Sequence, residues 1–318
     1  MTGPRCMRYA SGMTQNTSES LTIFPVKPDQ YAAALYLVLG AANSSSNATQ
    51  IASMMAAQRL GKIDFTGLLG AFRGQKLVGA AWATVQAGKV ASLWPAEILE
   101  SEPEATATQL HQAAIEFLEP QDLSMVQALV DPSRQTALTR LQQSGLNYIT
   151  DLCFMLALAE GFPEQLPESQ LQFTPYSEID EAEFAQLVAA TYPGSADCPE
   201  LDGKRNINDT LTGYQASGQF DPNLWFAVSA GTKQVGCLLL APYAESNQTE
   251  LVYCGILPEA RGQQFGKQMV HFAQYQTKRQ SHNRLVLAVD QRNTPAINIY
   301  DDCGFVTFEM KSALARFF

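Results

Sequence analysis

Histidine is scarce in this chain. Its 318 residues contain three, and the six cysteines (Cys6, Cys153, Cys198, Cys237, Cys254 and Cys303) are widely scattered, with no Cys-x-x-Cys. These shortages argue against a zinc site or a disulfide framework and for a reducing cytoplasm, so no metal is expected. No apolar run reaches the roughly 18 to 20 residues needed to cross a bilayer, so no membrane partner is expected. The first twenty residues lack the apolar centre of a secretion signal. They read as a disordered leader, residues 1–20, with Met7 and Met13 as alternative starts. Neither Gly-x-x-x-x-Gly-Lys-Ser/Thr nor Gly-x-Gly-x-x-Gly occurs, which disfavours nucleotide kinases and dinucleotide oxidoreductases. Basic residues are also in deficit, 21 against 31 acidic, for a net charge of −10. Residues 161–318 carry 11 basic and 18 acidic groups, and residues 1–160 carry 10 and 13. A field of that sign repels nucleic acid phosphate and favours a cationic or amine partner. A plain solubilising surface accounts for it equally well.

What is present begins with an ordinary globular composition, 46% hydrophobic and 16% charged, in a chain long enough for two cores. The most informative stretch is Val252 to Lys267, VYCGILPEARGQQFGK. A strand-like run ends at a proline, an Arg-Gly loop follows, and an amphipathic helix opens directly afterwards. The amides of Gly262, Gln263, Gln264, Phe265, Gly266 and Lys267 would then point from a helix N-terminus, where unpaired N–H groups and the helix dipole favour a pyrophosphate. About thirty residues later, Asn293-Thr-Pro-Ala-Ile-Asn-Ile-Tyr300-Asp-Asp-Cys-Gly304-Phe305 sets an Asn at a helix start and a Tyr two turns along.

Residues 250–305 resemble the core of the GNAT superfamily of N-acetyltransferases, whose loop reads Arg/Gln-x-x-Gly-x-Gly/Ala and whose later segment reads Asn-x-x-Ala-x-x-x-Tyr-x-x-x-Gly-Phe. The loop departs at Gln264, where the family has glycine. That position works through its amide, so the side chain is expected to point away with φ staying negative.

Reading the chain against itself gives a repeat. Gly74-Gln-Lys-Leu-Val78-Gly79 parallels Gly231-Thr-Lys-Gln-Val235-Gly236, while Val130-Asp131, Ala137 and Gly145 parallel Val289-Asp290, Ala296 and Gly304 at an offset of 159. The expected fold class is therefore α/β (α+β): two tandem GNAT domains, each a mixed, mostly antiparallel sheet flanked by helices. The expected domains are 21–160 and 171–318, joined by the polar, proline-containing stretch 159–170. The last strand is expected at 306–311. Carried through the loop, the 159 offset sets Glu102, Pro103, Ala105 and Ala107 against Arg261, Gly262, Gln264 and Gly266, and Arg134 and Leu141 against Asn293 and Tyr300. Glu102 and Glu104 would repel a diphosphate and Pro103 removes an amide. The first half thus resembles the degenerate half of tandem GNAT proteins of the mycothiol synthase type, without a coenzyme site.

The resemblance implies acetyl-CoA as co-substrate and direct transfer to the amine of a small-molecule acceptor. It implies that the backbone of Gly255, Ile256 and Leu257 pairs with the pantetheine arm, with the Ile256 amide or a neighbour polarising the thioester carbonyl. Glu250 is the candidate base, against a solvated strand end, and Tyr300 the candidate acid, against a core tyrosine. Asn293 reads as a contact to the pantetheine or phosphate arm, or as a helix cap. Arg261 reads as a phosphate contact or a surface salt bridge, and Lys267 as an amide donor with a solvated side chain. Tyr192, Asp197 and Glu200 form the candidate acceptor segment, against a plain acidic loop. A non-catalytic acetyl-CoA-binding or regulatory module stands as the alternative function. An aminoacyl-transferring enzyme of the same fold is disfavoured by the acidic surface, and either a monomer or a homodimer is compatible with the chain.

Overall fold

A computed structural model describes residues 19–39 and 45–318. The expected leader lies outside the described residues apart from Glu19 and Ser20, as do Met7 and Met13. The first half contains β1 (Leu21–Pro25), α1 (Tyr31–Val38), α2 (Ser45–Arg59), β2 (Leu68–Arg73), β3 (Lys76–Gln86), β4 (Val90–Ile98), α3 (Glu104–Leu118), β5 (Met125–Val130), α4 (Gln135–Gln143) and β6 (Asn147–Leu158). The second contains β7 (Leu171–Pro175), α5 (Glu181–Ala190), α6 (Ile207–Gln215), β8 (Trp225–Ala230), β9 (Lys233–Tyr243), β10 (Gln248–Ile256), α7 (Phe265–Arg279), β11 (Arg284–Asp290), α8 (Thr294–Asp302) and β12 (Val306–Phe317). Each element of one half has its counterpart in the other, in the same order. Local chemistry marks several helix starts, because Asp180, Asn206 and Asn293 each accept a hydrogen bond from an otherwise unpaired first-turn N–H.

The twelve strands form one sheet in the order β1-β2-β3-β4-β5-β12-β6-β11-β10-β9-β8-β7. The two halves have exchanged their last strands. β12 does not stop at Lys311 as expected but continues to Phe317, and Ser312–Phe317 pairs antiparallel with Val130–Met125 of β5. β6 reciprocates by pairing along the whole of β11, Arg284–Asp290. Packing follows the exchange: Leu314 of β12 is buried in the core of the first half, while Cys153, Met155 and Ala157 of β6 are buried in that of the second.

Within each half all pairings are antiparallel except one. β4 runs parallel to β5 only over Val90–Ser92, and β10 runs parallel to β11 only over Gln248–Glu250. Beyond Glu250 a bulge between Leu251 and Tyr253 bends β10, and the two strands part. β10 therefore keeps β9 on one side but has no strand along its other edge from Leu251 to Ile256.

One buried titratable group couples the first half to pH. His111 on α3 accepts the Ala96 N–H at 2.7 Å through Nε2, and Ser144 Oγ lies 2.9 Å from Nδ1. Burial pushes its pKa down to about 4, with Arg140 adding to the shift. A histidine neutral when folded but protonated when unfolded withdraws stability as pH falls from about 6.5 to about 4. Urea unfolding should therefore weaken by up to about 3 kcal/mol across that window, and His111→Gln should flatten this limb. An equally steep limb in the variant would assign it to other groups.

Candidate functional site

The gap between β10 and β11 opens a cavity of about 710 Å³, walled by β10 from Leu251, β11, the start of α7, α8 and the loop after α5. At one end lies the loop from Leu257 to Gln264. None of the backbone N–H groups from Gly262 to Lys267 has a protein acceptor among the described residues. Five of these six residues line the cavity, Gln263 being the exception. Gly262 has φ +76° and Gln264 φ +60°, both left-handed, and this turns successive amides toward one side. Such a nest at a helix start attracts anions through aligned dipoles. The negative φ expected at Gln264 is thus corrected: the helix can open there only if the N-cap residue goes left-handed, a strain of about 1 kcal/mol for a non-glycine residue.

Gly266 forms the floor. A Cβ there would stand 3.0 Å from Ile299 Cδ1 and 3.5 Å from Ile256 Cδ1, so any longer side chain must enter the cavity. Tyr300 is walled by the Phe305 ring, 5.5 Å between centroids, and its hydroxyl has no hydrogen-bonding partner in the protein among the described residues. Burial holds its pKa well above the usual value, so the phenol stays protonated. Cys254 also lines the cavity, with its thiol pushed up to about 12 by burial.

A second cavity of about 240 Å³ adjoins the first and shares Gly194, Ser195, Asp197, Val252 and Tyr253 with it. Its wall is aromatic. Tyr253 stacks on Tyr214 at 5.7 Å, meets Tyr192 edge-on at 5.5 Å, and has its hydroxyl 2.7 Å from Thr191 Oγ1. A third cavity of about 480 Å³ continues from it past Arg205, Thr210 and Tyr214 to β4 and β5 of the first half. The β3–β4 turn closes tightly on α6 there, so that a Cβ on Gly88 would collide with the Asp209 carbonyl.

The loop between α5 and α6 is held by Asp290, which is fully buried at the end of β11. Its carboxylate accepts from Thr150 Oγ1 at 2.7 Å, the Cys198 N–H at 3.0 Å, and both the backbone and guanidinium of Arg292. Burial opposes that charge, but Arg292 and the other donors bring the pKa down to about 2. Arg292 also grips Glu200 through two bonds of 2.7 and 2.8 Å.

With this geometry stand the comparisons. Residues 188–305 match the family model for the acetyltransferase (GNAT) family. That match lies within the second half of the chain. A mycothiol acetyltransferase from Streptomyces griseus is 30% identical over 100 residues, 31% of this chain and 33% of that protein, so the match spans about a third of this curated relative. A GCN5-related N-acetyltransferase from Sphaerobacter thermophilus superposes with a TM-score of 0.64 at 16% identity, covering 93% of this chain and 95% of that one. A tandem GNAT protein from the clavulanic acid biosynthesis pathway gives 0.53 at 12%, covering 94% and 98%. At these identities the likeness is one of fold, and it extends the tandem GNAT layout over both halves.

Several expected residues of the GNAT site stand elsewhere than foreseen. Arg261 lines the cavity, but its guanidinium is already engaged, donating to the carbonyls of Ile256 (3.2 Å), Gly194 (2.8 Å) and Thr191 (2.9 Å) and tying the α5–α6 loop to β10. Leu257 is buried, donates its N–H to Val235 and does not line the cavity. The carboxylate of Glu200 is held by Arg292 and is not offered to a ligand. Lys267 pairs with Asp302 at 3.0 Å, and Asn293 caps α8 while also bonding Asp197. Asp197 lies between the first two cavities, and burial raises its pKa against the pull of the Asp290 N–H. Glu250 lies just before the bulge, outside the first cavity, on the β10 face of its hydrogen-bonding partner Tyr243. Its pKa is raised by burial. The sequence reading passed over Asp290 and Arg205. The parallel between Asp131 and Asp290 hinted at the first, and no pattern marked the second.

Arg292→Ala should leave the Asp290 charge buried without its main counter-ion, lowering stability by about 3 kcal/mol in urea titrations. An effect below about 1 kcal/mol would show that Thr150 and the two backbone N–H groups suffice.

Proposed function

We propose that the protein is an acetyl-coenzyme A dependent N-acetyltransferase that moves an acetyl group directly to the amine of a small-molecule acceptor. The observation that carries this reading is the run of unpartnered amides from Gly262 to Lys267 at the mouth of the gap beside the free edge of β10. A diphosphate fits that nest, and an extended amide-bearing arm fits an unpaired strand edge. Gly262, Gln264, Phe265, Gly266 and Lys267 would hold the phosphates, and Gly255 and Ile256 the arm. The family match over residues 188–305 supports acetyl transfer as the chemistry.

In the reaction proposed, Glu250, which stands outside the first cavity, takes a proton from the acceptor ammonium through water. The amine nitrogen then attacks the thioester carbonyl carbon, whose oxygen is polarised by the backbone near Ile256. The C–S bond breaks, Tyr300 gives its proton to the leaving sulfur, and the second proton of the attacking nitrogen returns to the Tyr300 oxygen, leaving a neutral amide and a thiol while Glu250 releases its proton to water. A carboxylate of raised pKa and a phenol held protonated suit those roles. The five described cysteines are free, which suits a reducing cytoplasm.

We assign no coenzyme to the first half, residues 21–160, and keep 171–318 as the transferring half. Between β4 and α3 the chain has residues 99–103, where β10 and α7 are joined by 257–264, so the loop is three residues shorter. That shift corrects the 159 offset there: Pro103, not Ala105, stands at the N-cap place of Gln264, and Ala105 at that of Gly266. Glu102 and Glu104 are already bound to Arg73 and Arg140, and Arg134 and Arg140 fill the region beside Glu97.

Calorimetric titration with acetyl-CoA should find one site per chain, and Gly266→Glu should abolish it. Two sites would overturn the empty first half, and no site would leave a fold without this activity. Once an acceptor is in hand, Tyr300→Phe should slow turnover at least about tenfold with coenzyme affinity unchanged. The rising limb of kcat with pH should lie above the ordinary carboxylate range and vanish in Glu250→Gln. An unchanged rate or limb would remove that residue from the mechanism.

A further inference from the structure

The wall between the second and third cavities contains an unanswered cation. Arg205 lines both. It forms no ion pair and no hydrogen bond among the described residues, and its Nε is buried without a partner. Of the other arginines, Arg73, Arg134, Arg140 and the more exposed Arg292 are answered by carboxylates, Arg261 by carbonyls and Arg284 by the Gln248 side chain, while Arg316 lies over the Phe318 ring. A second buried polar atom on the same cavity, the Tyr192 hydroxyl beside Tyr214, also lacks a well-formed hydrogen bond. Buried donors left unpaired are costly, and two of them on one cavity wall call for a ligand that accepts from both. The opposite end of that cavity, where it meets the gap beside β10, presents the Asp197 carboxylate.

Resting on the acetyltransferase reading above, we propose that the acceptor is a small zwitterionic amine, its ammonium on the Asp197 side and its anionic group on Arg205 and the Tyr192 hydroxyl. The polarity of the cavity sets the direction of binding. An amine at the Asp197 end lies next to the space for the thioester, whereas an anion there would face a carboxylate. A guanidinium takes two oxygens of one carboxylate, phosphate or sulfonate in its fork, so the shared chemistry is a tetrahedral or planar oxyanion on a short carbon chain. The third cavity, closed by β4 and β5 of the first half, leaves room for that group to extend. Arg205 is the one cation among the charged residues that line these two cavities, beside Asp197 and Asp202.

The test compares wild type with Arg205→Ala and Arg205→Glu, each first titrated with acetyl-CoA. Acetyl transfer is then read as thiol release with matched pairs: β-alanine and γ-aminobutyrate against their amides, phosphoethanolamine and taurine against ethanolamine. Wild type should favour an anionic member by at least about tenfold in kcat/KM, a preference that falls to within about twofold in Arg205→Ala and reverses in Arg205→Glu. Acetyl-CoA affinity should be the same in all three. Which pair discriminates most separates a carboxylate from a phosphate or sulfonate. Equal use of the neutral partners by wild type, preference retained in Arg205→Ala, or no response to any anionic amine by protein that binds acetyl-CoA would overturn the assignment. Failure of acetyl-CoA to bind would strike the acetyltransferase reading instead, and direct calorimetry of the same anionic amines on wild type and Arg205→Ala would still decide the role of Arg205.

Discussion

Backbone pairing across β5, β12, β6 and β11 is the constraint on which the rest depends. Two half-sheets, each ending in a strand edge, would need either partners or protection. Exchanging the last strands gives each edge a partner from the other half, and it fixes the halves in one register. That register places the β3–β4 turn and the ends of β4 and β5 against α6. The wall of the third cavity thus comes from a half to which we assign no coenzyme. A half with no assigned coenzyme still serves as a strand donor and as a surface.

The same exchange sets the terms for the loop that faces the first two cavities. Thr150 of β6 reaches the buried Asp290 only because β6 lies beside β11. Asp290 then holds the Cys198 N–H and orients Arg292, which in turn holds Glu200. Arg261 fixes the other end of the loop through the carbonyls of Thr191 and Gly194. Charges that a surface reading would offer to ligands are here used to shape the protein. Asp197, which already accepts the Asp290 N–H, and Arg205, which has no partner among the described residues, face the cavities.

Much of this was legible in the residues. Alternation and helical period located nearly every element, Pro295 and Gly304 bracketed α8, and the order of elements revealed the repeat. The Arg-Gly loop announced a helix start with free amides. What was not legible depends on three-dimensional pairing. Nothing in the alternation of β6 or β12 says which neighbour it takes, because a central strand looks the same from either side. Charge identity does not reveal a partner either, which is why Arg261 and Glu200 read as ligand contacts. The left-handed Gln264 was missed because the constraint lies in the shape of the loop. Arg205 sits in a polar stretch, Asp202-Gly-Lys-Arg205-Asn, where one more arginine carries no signal until burial is seen.

The position of β12 also has a bearing on how the molecule comes to exist. Its partner strand β5 is about 190 positions earlier in the chain, so this contact closes only after both halves have been made. Pairings over such separations slow folding, and a first half emerging alone carries an open edge at β5 for the duration of synthesis of the second. The duplicated architecture thus assembles as a single cooperative body rather than as beads on a string, and β12 acts as its keystone.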